Sequence, residues 1–210
     1  MIPVKPQPEP DIFDELVRVP GKRFLKKASG TKLTNKQWQY HDYWKNIRTH
    51  LYKAYDGVCA YNAHWIPKGS SVPNVDHFIP KSVKPELAYE WSNYRLASHL
   101  ANALKGERIN ILDPFCIGQN WFFLDFPSLL VRPNPELSPE IQKQVQDTID
   151  HLHLNEKQAI VEERNNWLKI YCCGMNFSVW KSYAPFIAYE LERQNLVEAI
   201  KNIMIYEPEE

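Results

Sequence analysis

Residues 58–91 consist of short apolar pieces, such as VCAY, HWI and VDHFI, separated by Pro, Gly and Ser. Pieces of this kind predict brief strands and loops. Before them, apolar residues recur at helical spacing, namely at Trp38, Trp44, Ile47, Leu51 and Tyr55. The chain is therefore expected to be α+β, with a small strand-containing module embedded in mostly helical N- and C-terminal extensions.

The same patterns predict individual elements. One long helix is expected over residues 36–55, ending at Gly57, and another over residues 94–105, ending at Gly106. The pieces NWFFLDF and SLLV predict two more strands.

The C-terminal third is expected to be helical. Ser138 followed by Pro139 predicts a capped helix start, and Asn155 with Gln158 predicts a capping box for the next helix. Residues 178–204 are expected to form one further helix.

Length and composition indicate a globular protein. The chain has 210 residues, of which 44% are hydrophobic and 24% charged. We expect an N-terminal arm and helix (1–57), a central module (58–110) and a C-terminal region (111–210), the last packed with the module as one domain. With no apolar run of membrane-spanning length and no basic start like that of a signal peptide, we expect a cytoplasmic protein that does not bind membranes.

The net charge of zero conceals an asymmetry along the chain. Residues 1–110 contain 17 Lys and Arg against 10 Asp and Glu, whereas the remainder contains 8 against 15. Within residues 22–53, nine basic side chains accompany the single acid Asp42. A segment of this kind can follow a phosphate backbone, although on charge alone a solvated helix face is the more ordinary interpretation.

A set of polar residues at defined spacing is the most informative feature. Asp76 and His77 are adjacent in VDHFIPKS, Asn93 follows 16 residues after His77, and Asn102 follows nine residues later in the run ASHLANALKG. Lys105 precedes Gly106 at the end of that run. The pattern resembles the HNH nuclease motif, also called the ββα-metal fold, over about residues 59–107.

The resemblance implies a role for each residue. Asp76 and Asn102 would bind one divalent ion, Mg²⁺ or Mn²⁺, and His77 would be the general base. Asn93 would hold the loop and orient the His77 ring. The substrate-contacting side chains would be Lys105, Lys81, Arg95 and His99.

These residue types suit phosphodiester hydrolysis on chemical grounds. Carboxylate and amide oxygens are the ligands that a hard divalent ion prefers, and such an ion retains several waters when the protein offers few ligands. A histidine of ordinary pKa is largely neutral at pH 7 and accepts a proton from water. Adjacent strand residues point to opposite faces, so Asp76 and His77 could not both face the ion within a regular strand.

Two further points concern metal binding, namely a rival ligand for the divalent ion and a structural zinc. His99 shares a helix face with Asn102 and is a rival ligand, although we prefer Asn102. Many family members also bind a structural zinc through two CxxC pairs. Here the corresponding positions are Cys59, Asn62, Ser98 and Ala101, so no structural zinc is expected.

The flanking segments resemble the HNH endonucleases found beside ATPases in bacterial anti-phage systems of the Septu and retron-associated kind. This implies an antiviral effector nuclease that acts on DNA, RNA not being excluded, together with an ATPase partner. Two alternatives are a catalytically inactive nucleic-acid-binding or scaffold protein with the same fold, and a toxin whose acidic C-terminal helices bind an inhibitor or a larger assembly.

Overall fold

The structure is a computed structural model that describes residues 1–28, 32–69 and 73–204. The chain divides into two compact units. We call residues 5–59 and 66–109 the motif unit, because they include all the predicted site residues. Residues 1–4, 60–65 and 110 onward form the second unit.

The motif unit begins with helices. They are a π-helix (Asp14–Arg18), α1 (Val19–Lys27), α2 (Asn35–Tyr40), a 3₁₀-helix (Tyr43–Ile47) and α3 (Arg48–Ala54). Gly57, at a φ of 70°, donates its N–H to the carbonyl of Tyr52 and terminates α3 as predicted.

The single long helix predicted over residues 36–55 is wrong, because the chain breaks between α2 and the 3₁₀-helix. Trp38 and Trp44 are six residues apart and would point about 120° apart around a continuous α-helix. In the structure both are buried and their ring centroids are 6.2 Å apart. The break therefore lets both indoles pack into one aromatic core, together with Tyr89.

The centre of the motif unit is an antiparallel strand pair followed by a helix. β1 (Asn74–His77) pairs with β2 (Tyr94–Ala97) in a register that places Asp76 opposite Arg95 and His77 opposite Tyr94. Helix α4 (His99–Lys105) follows, and the Ser98 hydroxyl caps it by accepting the N–H of Ala101. The helix predicted over residues 94–105 is thus wrong in its first part, because pairing with β1 makes residues 94–97 a strand.

The second unit contains the other strand pair and the remaining helices. β3 (Phe122–Asp125) pairs antiparallel with β4 (Leu130–Pro133), as the two apolar pieces predicted. The helices are α5 (Pro139–His151), α6 (Gln158–Cys172), α7 (Phe177–Trp180), α8 (Pro185–Arg193) and α9 (Ile200–Ile203). Ser138 caps α5 as expected.

Two predictions in this unit are wrong. Asn155 does not cap α6, because its side-chain amide exchanges two hydrogen bonds with the backbone of Val131 on β4. Residues 178–204 form no single helix, because Pro185 has no N–H and starts α8 anew. Asn195, at a φ of 56°, then terminates α8 in the left-handed region.

The predicted α+β class is confirmed: the part of the chain that the structure describes contains helices and two separate antiparallel strand pairs. Within the described residues, every helix is too short or too polar to cross a membrane.

Candidate functional site

A cleft of about 320 Å³ opens on the motif unit at the end of β1. The 3₁₀-helix, the start of α3, β1, the loop after β1 and α4 all contribute to its walls. Of the predicted site residues, Asp76, His77, Lys81 and Asn102 line it. Residues that are up to 26 positions apart in the chain thus meet at one surface depression.

Asp76 and His77 both reach this cleft although they are neighbours on a strand. Their side chains contact different elements, Asp76 the end of α4 and His77 the loop at Ala88. His77 is the last residue of β1, so the regular alternation of side chains between the two faces of the strand ends there. The end of the strand therefore presents the carboxylate and the imidazole together.

The His77 ring is held by one hydrogen bond and two aromatic edges. Its Nε2 lies 2.9 Å from the carbonyl oxygen of Ala88, and its ring packs edge-on against Trp44 and Tyr94. Since a carbonyl oxygen can only accept, Nε2 carries the hydrogen and Nδ1 carries the lone pair. The ring is thus fixed in the tautomer whose Nδ1 can accept a proton.

The charge state of His77 follows from its surroundings. Burial lowers the pKa of His77 to about 3, and the positive charges of Lys81 and Lys105 act in the same direction, against the bond to Ala88. The imidazole is therefore neutral near pH 7, which a proton acceptor requires.

Lys105 lies beneath the site and is 0% exposed. Its ammonium donates to Oδ1 of Asp76 over 3.0 Å and to the carbonyl oxygen of His77 over 2.8 Å. The sequence suggested a phosphate contact for Lys105. In the structure this ammonium instead joins the last turn of α4 to the end of β1 and neutralises the Asp76 carboxylate.

Asn93 is buried at the end of the 3₁₀-helix Trp91–Asn93, directly before β2. Its Oδ1 accepts the N–H of Ile79, and its Nδ2 donates to the carbonyls of Ile79 and Leu87. Leu87 precedes Ala88, whose carbonyl holds the His77 ring. Asn93 therefore connects the backbone of this loop at Ile79 and at Leu87, next to the carbonyl that holds the His77 ring.

Lys81 and Asn102 present polar atoms to the cleft. The Lys81 ammonium lies 5.4 Å from the ring centroid of Trp44 and 6.0 Å from that of Trp38, and burial lowers the pKa of Lys81. Asn102 is half-buried on α4, one turn after the Ser98 cap.

Arg95 and His99 lie outside the cleft lining. Arg95 is buried, donates to the carbonyls of Ser92 and Tyr94, and stacks over the ring of Phe78. His99 is exposed, and its Nδ1 lies 3.3 Å from the side-chain nitrogen of Asn74. Of the four side chains predicted to contact substrate, these two thus make their contacts within the protein, away from the cleft lining.

Sequence reasoning did not single out Trp44 and Arg48 as site residues, although both line the cleft. Arg48 belongs to the basic segment over residues 22–53, which was the available signal. Nothing in the sequence distinguished it from the other eight cations of that segment, because only the packing of α3 beside β1 places it at the cleft.

The donor chemistry of the cleft fits a hard divalent ion that retains waters. Asp76 offers a carboxylate and Asn102 an amide oxygen, and both line the same space. Within residues 1–28, 32–69 and 73–204, no group of three His, Cys, Asp or Glu side chains could hold a metal ion. The Asp76 carboxylate, one of the two candidate ligands, is already bonded to Lys105.

Cys59 and Ser98, two of the positions that correspond to zinc-binding cysteines in many HNH proteins, contact each other. The backbone N–H of Ser98 points to the sulfur of Cys59 over 3.4 Å, while the Ser98 hydroxyl caps α4.

The sequence matches no protein-family model and no curated protein.

Proposed function

We propose that this chain is a divalent-metal-dependent endonuclease of the HNH kind that hydrolyses phosphodiester bonds in DNA. The observation that supports this most strongly is the single cleft lined by Asp76, His77 and Asn102. A carboxylate and an amide oxygen are suitable ligands for a hard divalent ion, and a neutral imidazole can take the proton of the attacking water in metal-assisted phosphodiester hydrolysis.

The chain order around the cleft supports the same proposal. β1, β2 and α4 follow one another as strand, strand and helix. The Asp-His pair ends the first strand, Asn93 precedes the second, and Asn102 lies on the helix. This is the arrangement that the resemblance to the ββα-metal fold implies.

His77 has the position and the protonation state of a general base. Its Nδ1 would accept a proton from the attacking water, while the bond from Nε2 to Ala88 keeps the ring oriented. Asn93 stabilises that loop by its bonds to Ile79 and Leu87. The aromatic edges of Trp44 and Tyr94 keep bulk water away from the rest of the ring.

Asp76 and Asn102 would hold the divalent ion, Mg²⁺ or Mn²⁺. When bound, such an ion supplies charge neutralisation for the phosphate and for the departing oxygen. Lys105 would share the Asp76 carboxylate with the ion.

The biological setting is proposed from the flanking resemblance alone. It is that of a cytoplasmic anti-phage effector that acts with an ATPase partner. With one ion, the site would cut one strand per encounter, so nicks should precede double-strand breaks in plasmid DNA.

One observation favours a second candidate, an inactive nucleic-acid-binding protein of the same fold. The ammonium of Lys105 already neutralises Asp76, the only carboxylate of the proposed ligand set. In a protein that no longer bound a metal ion, the Lys105 ammonium would serve as the counter-ion of the Asp76 carboxylate.

Plasmid nicking tests the two candidates against each other. Supercoiled plasmid is incubated with the protein in Mg²⁺, in Mn²⁺ and in chelator, and open-circular product is measured over time. We expect cleavage that requires the ion, and His77→Ala should reduce its rate by about 100-fold to 10,000-fold. His50→Ala, which removes an exposed histidine of α3, is the matched control and should cleave at the parent rate.

The outcomes separate clearly. Absence of ion-dependent nicking by the parent protein refutes the nuclease proposal, and binding of duplex without cleavage then favours the second candidate. Parent-rate nicking by a folded His77→Ala variant refutes the general-base assignment.

A further inference from the structure

Arg48 is the first residue of α3, and it lines the cleft together with Asp76 and His77. Its Nε atom is buried and has no hydrogen-bond partner among the described residues. A buried donor without an acceptor is costly, and this one belongs to a side chain that lines an open cleft.

The other two cations at the cleft are engaged. Lys45 forms an ion pair with Asp42, three residues before it. The Lys81 ammonium lies over the indole rings of Trp44 and Trp38. In the described part of the chain, Arg48 is thus the cleft-lining cation that pairs with neither a carboxylate nor an aromatic face.

A guanidinium is suited to one class of ligand in particular. Its planar fork of N–H donors, Nε included, matches two oxygens of a phosphate group, and it stays charged at any physiological pH. Lys105, to which the sequence assigned a phosphate contact, is fully buried against Asp76. The phosphate contact therefore needs another cation, and among the described cleft-lining residues Arg48 is the cation held by neither a carboxylate nor an aromatic ring.

We infer that Arg48 binds a backbone phosphate of the nucleic-acid strand in the cleft and positions it beside His77. This inference rests on the proposed nuclease function for the identity of the ligand. It adds the substrate contact that the motif residues themselves do not supply.

Binding can be measured without cleavage, by fluorescence anisotropy of a short labelled DNA duplex in chelator over a series of salt concentrations. Arg48→Ala should weaken binding about tenfold and reduce the slope of log affinity against log salt by about 0.9, because one phosphate contact is lost. Arg132→Ala is the matched control. It removes an arginine of the second unit whose side chain is 59% exposed, and it should change neither quantity.

Arg48→Lys is the second variant, and it decides the question if the alanine variant does not fold. It keeps the charge and most of the aliphatic stem but replaces the fork by a point charge. We expect a salt slope equal to that of the parent, with an affinity about threefold lower, since the bidentate bonds are lost.

The outcomes separate the Arg48 assignment from the nuclease proposal. Parent-like affinity and salt slope in folded Arg48→Ala would overturn the Arg48 assignment and leave the nuclease proposal to the plasmid assay. Weakened binding by Arg48→Ala with no nicking by the parent protein would refute the nuclease activity and support the phosphate contact. Failure of the parent protein to bind duplex in chelator would overturn the Arg48 assignment and leave the nuclease proposal to the plasmid assay.

Discussion

Replacing Lys105 by methionine should strongly destabilise the protein, because it leaves the buried carboxylate of Asp76 without its cation. The two groups are 3.0 Å apart, and their side chains are 0% and 4% exposed. At an effective dielectric constant of about 20, this separation corresponds to about 5.5 kcal/mol of attraction, most of which compensates for the loss of hydration. The Lys105 bond to the carbonyl of His77 is lost as well.

The net cost of breaking a buried pair is smaller than the attraction but still large. We expect Lys105→Met to lower the free energy of unfolding by about 4 kcal/mol. With a denaturant slope of about 2 kcal/mol per molar urea, the unfolding midpoint should fall by about 2 M. The measurement is urea unfolding followed by tryptophan fluorescence, in chelator so that no divalent ion binds Asp76.

An exposed pair of nearly the same length is the control. Lys143 and Asp147 are 2.9 Å apart, with the lysine side chain 77% exposed, so Lys143→Met should leave the midpoint unchanged. Combining Asp76→Asn with Lys105→Met removes both charges. The double variant should therefore be about 2 kcal/mol more stable than Lys105→Met alone.

Two results would refute this reasoning. One is a midpoint for Lys105→Met within about 0.5 M of the parent, which would mean that the ion pair contributes about 1 kcal/mol or less. The other is a double variant whose change in the free energy of unfolding equals the sum of the changes in the two single variants, which would mean that the two side chains do not stabilise each other.

The remaining predictions concern the aromatic core of the motif unit. Burial raises the pKa of Tyr94 well above its usual range, with the neighbouring Tyr89 and Glu90 charges acting in the same direction. Above about pH 10 the unfolded chain releases this proton while the folded chain retains it, so stability falls by about 1.4 kcal/mol per pH unit. In urea titrations at several pH values, Tyr94→Phe should reduce this dependence of stability on pH. Tyr40→Phe, which alters a 72% exposed side chain, should leave it unchanged. The same fall of stability with pH in the parent and in Tyr94→Phe would contradict the assignment of the effect to Tyr94. Gly21→Ala should lower the free energy of unfolding by about 2 kcal/mol and the melting temperature by about 6 °C, because the added methyl group would overlap the ring of Tyr89. An unchanged melting curve would contradict this prediction.

Local sequence signals predicted the elements whose ends are determined by neighbouring residues. Gly57 terminates α3, Ser138 with Pro139 starts α5, and the two apolar pieces after residue 119 form β3 and β4. In each case the cause lies within a few residues of the boundary: a left-handed backbone, a side-chain cap or a tight antiparallel connection. Such causes are visible in sequence.

The errors lie where a distant partner decides the conformation. Residues 94–97 extend because β1 supplies their hydrogen bonds, and the Asn155 amide pairs with Val131 rather than with its own helix. The break after Tyr40 brings Trp38 and Trp44 to one core. No local pattern contains the position of these partners, so periodicity alone predicted longer helices than exist.

The sequence alone determined which residue types and spacings this protein offers for chemistry: an adjacent Asp76 and His77, and Asn102 placed 25 residues after His77. Only the tertiary structure decided that these three line one cleft, that Lys105 lies beneath it and that Arg48 borders it with an unpartnered donor. The reason is physical. Whether a cation is buried against a carboxylate or left facing an open cleft depends on how α3 and α4 pack around β1, and the free energy of that packing comes from contacts between residues far apart in the chain.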